Sequence, residues 1–231
     1  MLAAVVIPTY NEKNNIQKLI PAIKSQKVGG VDFLLIVVDD NSPDGTAEEA
    51  KKFPGVAVIS RPAKLGLGSA YITGFAEAMR LGAEVIFSMD ADLSHDFSYS
   101  KDFIKEIRGG ADVVIGSRYV PGGGTNWPLS RKVISFGANI LSKTILGVPV
   151  NDLTSGYRCY RAGLLKKVLG REFKSTSYSF LEELVYYCHK EGAKIHEVPI
   201  FFKDRVFGKS KLRKMEMLKF PFTLLRLRFF S

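Results

Sequence analysis

Val85-Ile86-Phe87-Ser88-Met89-Asp90-Ala91-Asp92 runs five mostly apolar residues straight into two carboxylates. A short apolar run without alternation suits a strand covered on both faces, as in a parallel sheet. If the chain stays extended past Met89, Asp90 and Asp92 share a face, because side chains two apart point the same way. Two neighbouring carboxylates repel each other. A hard divalent cation between them removes that cost. Mg²⁺ or Mn²⁺ takes one or two carboxylates and completes its shell with water and phosphate oxygens. The stretch reads as a metal–diphosphate site; the plain alternative is a pair of solvated loop aspartates.

The segments around it repeat one pattern. Ala4 to Pro8 reads as a first strand, followed directly by Thr9-Tyr10-Asn11-Glu12. Asn14 or Asn15 is the expected cap of a helix whose apolar face is Ile16, Leu19, Ile20 and Ile23. A second strand, Phe33 to Val38, ends in Asp39-Asp40-Asn41-Ser42-Pro43-Asp44-Gly45-Thr46, a strong turn signal. A short helix, a third strand at Val56 to Ile59 and a helix from Gly66 to Arg80 lead to the opening stretch. A helix around Phe103, Ile104 and Ile107 precedes a fifth strand, Asp112 to Gly116, which ends in Ser117-Arg118. Strands alternating with helices imply βαβ units, hence an α/β fold with a mostly parallel sheet flanked by helices. Tyr10, Glu12, Asp39, Asp40, Asp90, Asp92 and Arg118 all follow strand ends. In an open α/β sheet those ends share one edge, where ligands bind.

After Arg118 the pattern changes. Pro121 to Pro128 is a glycine-rich loop carrying Trp127, read as a lid over a substrate or as a connector. Leu129 to Leu146 reads as a helix with Arg131-Lys132 in its first turn. Cations there oppose the helix dipole, a tolerable cost if an anion binds nearby, and Arg131 is the candidate to hold it. Asp152 to Arg158 leads into a short strand. Ser179 to Glu191 looks helical, with Glu182-Glu183 either on a polar face or near the site, and Ile195 to Phe202 reads as strand. Arg205, Lys209 and Lys211 surround Gly208 and suit a phosphate clamp. Met215, Leu218, Phe222, Leu225 and Phe229 then fall on one helical face, with Lys214, Arg226 and Arg228 off it. A basic amphipathic helix of this kind is expected in a membrane interface, with Pro221 expected to kink it; the plain alternative is a helix docked on the protein core. The expected organisation is a catalytic domain over 1–211 and an interface helix over 212–231.

Composition narrows the classes. The chain has 231 residues, 46% of them hydrophobic, enough for a core. Cys159 and Cys188 lack C-x-x-C spacing and read as reduced structural thiols of a cytoplasmic protein. The three histidines make no H-E-x-x-H. No leader peptide is expected, and no apolar stretch approaches the roughly 20 residues that span a bilayer. Residues 203–231 carry +7 of the net +10. Such a tail suits a membrane surface, and no nucleic-acid module accompanies it. The expected place is peripheral, on the cytoplasmic face of a membrane. Rival motifs fail: Gly66-Leu67-Gly68 has Tyr71 where a dinucleotide fingerprint needs glycine, Gly208-Lys209-Ser210 has Lys203 where a P-loop needs one, and no G-x-S-x-G occurs.

Pro8 to Glu12, Asp39 to Thr46, Leu65 to Gly68 and Asp90-Ala91-Asp92-Leu93-Ser94-His95 resemble the motifs of the family-two inverting glycosyltransferases of GT-A fold. Gly116 to Tyr119, Asp152 to Arg158 and Asp204 to Lys211 narrow the resemblance to the dolichol-phosphate mannose synthase branch, from about Ala4 to Lys211. The resemblance implies GDP-mannose as donor and a polyprenyl (dolichyl) phosphate as acceptor, with glucosyl transfer from UDP-glucose as the alternative. It implies that Pro8, Tyr10, Glu12, Val37 and Asp39 hold the nucleotide. Asp90, Ala91 and Asp92 would lie at the diphosphate and metal. Arg118, Arg205 and Lys211 would lie at the phosphates and sugar. Several relatives have Gln, a third metal ligand, where this chain has the shorter Ser94, so the expected metal set is Asp90, Asp92 and Ser94. Many relatives continue into transmembrane helices, so a separate membrane-anchor subunit is a further expected partner.

Overall fold

The computed structural model describes residues 1–175, 179–204 and 214–230, the last span without the side chains of 214–219 and 230. Strands β1 (Leu2–Thr9), β2 (Asp32–Asp39), β3 (Val56–Ser60), β4 (Val85–Ser88) and β5 (Val113–Ser117) enter the main sheet in turn. A short β6 (Gly124–Thr125) follows outside it, and β7 (Arg158–Arg161) and β8 (Ile195–Pro199) complete the seven-stranded sheet. Its order is β3-β2-β1-β4-β7-β5-β8. Every pairing is parallel except those of β7, which runs against both β4 and β5. The expected mostly parallel α/β sheet is therefore the one that forms. β9 (Phe201–Phe202) turns away and pairs with β6.

Successive residues of the central strands feed two cores. Ala3, Val5 and Ile7 of β1 face one side, where α1 (Lys13–Ser25) contributes Ile16 and Leu19 and α4 (Ser100–Arg108) contributes Phe103 and Ile104. Ala4 and Val6 face the other side, with Tyr71 and Phe75 of α3 (Leu67–Arg80), Leu165 of α6 (Ala162–Val168) and Leu184 of α7 (Phe180–Lys190). Burial on both faces explains why these strands read as unbroken apolar runs. Each such Val, Ile or Phe contributes about 1.5–3 kcal/mol. Gly74 lets α3 settle onto the sheet: a Cβ there would stand 2.2 Å from Cγ1 of Val6. That close approach carries Tyr71 towards the end of β4.

The small helix α2 (Thr46–Lys51) follows the β2 turn, and α5 (Leu129–Leu146) and α8 (Lys214–Phe230) pack on each other. Among the α8 residues with described side chains, Leu224 and Leu227 are buried and join the core. The stripe read from sequence is the opposite one: Phe222, Leu225 and Phe229 are exposed, while Met215 and Leu218 have no described side chains. The helix is thus apolar on two sides rather than one. Among the described residues, no helix is long and apolar enough to cross a membrane.

Two local expectations change. Glu12, not Asn14 or Asn15, stands at the N-terminus of α1, where its carbonyl accepts from the N–H groups of Asn15 and Ile16. β4 ends at Ser88, and Leu93 adopts a left-handed φ of 63°. Asp90 and Asp92 therefore sit in a turn beyond the strand, not on one extended face.

Candidate active site

β1, β2, β4 and β5 run in the same direction, so their C-terminal ends line one edge. β1 is flanked by β2 on one side and β4 on the other, and the chain reverses its order there. That is the crevice where open α/β sheets bind ligands. The turn after β1 and the aspartates after β4 flank it.

On the β2 side, buried Asp39 is fixed by short donors. Thr9 Oγ1 donates to Oδ1 at 2.8 Å, and Ser42 donates from Oγ at 2.6 Å and from its backbone N–H to Oδ2 at 2.8 Å. Asp40 pairs with buried Arg61, which also reaches Ser69 and the carbonyl of Gly66. This ties the Leu65–Gly68 loop to the same rim. Lys64 Nζ stands 4.1 Å from the ring centre of Tyr10. Glu12 donates its backbone N–H to Thr46 Oγ1, and its carboxylate accepts from Asn15 Nδ2. Pro8 is half-buried at the end of β1, whereas the Val37 side chain is packed into the core.

On the β4 side, Asp90 is half-buried and Asp92 and Ala91 are buried. Tyr71 Oη donates to Asp90 Oδ1 at 3.4 Å. Burial, reinforced by the Asp90 charge, pushes the Tyr71 hydroxyl well above its usual range, so it keeps the proton it donates. Gly156 closes the other side, since a Cβ there would lie 3.1 Å from Oδ2 of Asp90. Ser94 donates from both N–H and Oγ to Oδ1 of Asp92. Its hydroxyl, expected as a metal ligand, is placed to orient that carboxylate. His95, buried beside them, stacks on Tyr157 and accepts from the Asp90 N–H through Nδ1. Burial holds its pKa down to about 4, so the ring is neutral.

The β5 end supplies Arg118. Its guanidinium grips buried Asp152 at 2.7 and 2.6 Å and Thr154 at 2.7 Å. Removing one member of such a buried pair typically costs about 3–5 kcal/mol. The partner Asp152 lies in a turn held by fully buried Arg158, which donates to the carbonyls of Leu153, Ser155 and Leu181. Arg131, on the first turn of α5, pairs with Asp204 at 2.8 Å and lies 3.9 Å from the ring centre of Trp127. Trp127 is buried, so it is not the tip of an open lid. Beside these groups is a cleft of about 410 Å³ lined by Arg118, Lys132, Tyr119, Val133, Phe136 and Phe201, with Gly124 and Thr125 at its edge. Lys132 rather than Arg131 faces it. Arg205 and Lys211 lie outside the described residues.

The Glu182-Glu183 pair splits. Glu183 accepts from the N–H groups of Lys174 and Ser175 and from Tyr187 Oη, a structural role. Glu182 is buried, and burial pushes it up to about 7 against the pull of Arg158. Tyr71 was not legible as a site residue in the sequence, because a tertiary contact at the end of β4 brings it in; Gly156 and Asp152 stood only within the Asp152–Arg158 motif, and Lys132 only beside Arg131.

A family model described as glycosyl transferase family 2 matches residues 4–169. The chain belongs to glycosyl transferase family 2. Among relatives in this family, a protein of Mycolicibacterium smegmatis named polyprenol monophosphomannose synthase is 40% identical over 214 residues, covering 90% of this chain and 80% of that protein. One of Micrococcus luteus named undecaprenyl-phosphate mannosyltransferase is 40% identical over 217 residues, covering 92% and 88%. Among solved structures, glucosyl-3-phosphoglycerate synthase of Mycobacterium tuberculosis with Mg²⁺ and uridine diphosphate superposes with a TM-score of 0.72. Identity there is 20%, over 98% of this chain and 79% of that one. The same enzyme with Mn²⁺, UDP-glucose and phosphoglyceric acid gives 0.70, again at 20% identity and covering 98% and 79%. This family 2 chain is a glycosyltransferase of GT-A fold.

Proposed function

We propose that this enzyme transfers mannose from GDP-mannose to a polyprenyl phosphate, of which dolichyl phosphate is one form, giving the polyprenyl-phosphate mannose and GDP with inversion. The observation that carries the reading is the cleft beside Arg118 and Lys132. It joins cations to an apolar wall of Val133, Phe136 and Phe201, the chemistry of a phosphate on a hydrocarbon chain. The named activities of the two 40%-identical relatives support it.

The donor nucleotide would occupy the β1–β2 side, at Pro8, Tyr10, Glu12 and Asp39, with Val37 acting through its backbone. Its diphosphate would lie at Asp90, Ala91 and Asp92. A divalent cation fits these residues: the donor set is hard oxygen, and Asp90 is held between Tyr71 and Gly156. Asp90 and Asp92 would hold the cation, whose chemistry there would be Lewis-acid neutralisation of the departing diphosphate, and Ser94 orients Asp92. Arg205 and Lys211, outside the described residues, are the expected further cations.

The acceptor is a phosphate monoester with a second pKa of about 6, largely dianionic at neutral pH. It has no proton to lose, so the chain needs no general base. Its task is to hold two anions close together, and Arg131, Lys132 and Arg118 do this by charge. Buried Trp127 and half-buried Phe202 cover the Arg118 guanidinium.

The lipid acceptor implies a membrane surface. Leu129 is 77% exposed on α5, and Phe222 and Phe229 are 74% and 71% exposed on α8, with Arg226 and Arg228 alongside. These packed helices would lie in the interface on the acceptor side of the site. The test is incubation with a panel of labelled nucleotide sugars and a polyprenyl phosphate, with and without EDTA. Label from GDP-mannose should enter the lipid phase with the anomeric configuration inverted, and EDTA should stop it. Preferential transfer from UDP-glucose, or retained configuration, would refute the reading.

A further inference from the structure

Trp127 is the chain's single tryptophan. It is 7% exposed, and three groups pack on it. The Arg131 guanidinium lies 3.9 Å from the ring centre, the Arg118 guanidinium 4.9 Å, and the Phe202 ring meets it edge-on with centres 4.9 Å apart. Two cations brought to one place repel each other. An indole attracts both through its π face, offsets that repulsion and sets their positions. Each guanidinium keeps a carboxylate partner, Asp152 for Arg118 and Asp204 for Arg131.

A second observation points to a ligand. The indole Nε1–H is buried and has no hydrogen-bond partner among the described residues. Buried donors are rarely left unmade, because desolvation is then uncompensated. Two guanidiniums and an orphan donor share this ring, and one of those guanidiniums, Arg118, also lines the cleft that carries Lys132. Resting on the polyprenyl-phosphate reading above, we propose that Trp127 positions Arg131 and Arg118 for the acceptor phosphate and donates its Nε1–H to one phosphate oxygen. Its ligand class is a phosphate monoester carried on an apolar chain.

One tryptophan gives one indole N–H resonance, so the full chain labelled with ¹⁵N reports this contact directly. The probes are farnesyl phosphate, farnesol and inorganic phosphate, with transfer from labelled GDP-mannose followed in parallel. The indole proton should move downfield with farnesyl phosphate and saturate where turnover half-saturates. It should move less with inorganic phosphate and stay in place with farnesol. Arg131→Ala, which keeps the indole, should abolish the shift. Trp127→Phe should raise the acceptor KM about tenfold while GDP affinity and donor KM stay unchanged, as the loss of one charge-assisted donor requires. An unmoved resonance during turnover, or a Trp127→Phe variant with equal losses for donor and acceptor, would overturn the assignment and leave the proposed function standing. Absence of transfer to every polyprenyl phosphate from farnesyl to undecaprenyl would instead remove the functional reading, and this assignment with it.

Discussion

Asp90 and Gly156 meet so closely that a single methyl group at position 156 would stand 3.1 Å from one carboxylate oxygen and 3.3 Å from the other. The antiparallel strand β7 follows Gly156 and brings it against the end of β4. Gly156→Ala should therefore turn the Asp90 carboxylate without unfolding the chain. Mn²⁺ affinity in the presence of GDP should drop about tenfold or more, and Tyr71→Phe should give a smaller loss of the same kind. Wild-type Mn²⁺ affinity in Gly156→Ala would show that the carboxylate has no such task.

Arg131 joins α5 to Asp204 across 73 residues of sequence, and both side chains are partly exposed. An exposed pair of this kind adds little stability. Arg131→Ala should leave the melting temperature nearly unchanged while raising the acceptor KM about tenfold or more. Nucleotide affinity should be unaffected. Equal loss of acceptor and nucleotide affinity would make Arg131 merely structural.

Glu182 is held up to about 7 in the fold against an ordinary 4.5. Between those values the folded chain binds a proton that the unfolded chain has released. Stability therefore falls as pH rises through that window and is flat above it. Glu182→Gln cannot ionise. It should flatten that slope and gain stability at pH 8, by up to about 3 kcal/mol. Denaturant unfolding at pH 5 and pH 8 checks the sign; an equal change at both would contradict it.

Phe222 and Phe229 project from α8 away from the core. Replacing either by Ser should weaken binding to anionic vesicles about tenfold, the effect of losing one buried aromatic. Added salt should weaken it further by screening the basic residues. Binding to duplex DNA in place of vesicles would overturn the membrane assignment.

Much of the fold was legible because β1, β2, β4 and β5 are covered on both faces and so write themselves as apolar runs ending in polar residues. The rim was legible for the same reason. Long-range pairing was not. Arg118 announces itself after β5, but its partner Asp152 is 34 residues away, and the sequence is silent on their meeting. Glu182 and Glu183 are neighbours whose fates differ because Glu183 accepts from the N–H groups of Lys174 and Ser175, while Oε2 of Glu182 is buried with no partner among the described residues. In α8 two apolar stripes are available, and packing on α5 selects Leu224 and Leu227 over the stripe whose spacing drew attention. Trp127 sits in a sequence that reads as loop, and only the arginines from β5 and α5 make it a buried platform.

On the proposed function, Asp90 and Asp92 face a cation at the donor diphosphate. The most direct measurement is a crystal grown with GDP and Mn²⁺, using anomalous scattering to place the metal. One manganese peak should lie in contact with both carboxylates and with the diphosphate, with the guanosine beside Tyr10 and Asp39. A nucleotide lodged away from this rim, or a metal bound without either aspartate, would contradict it.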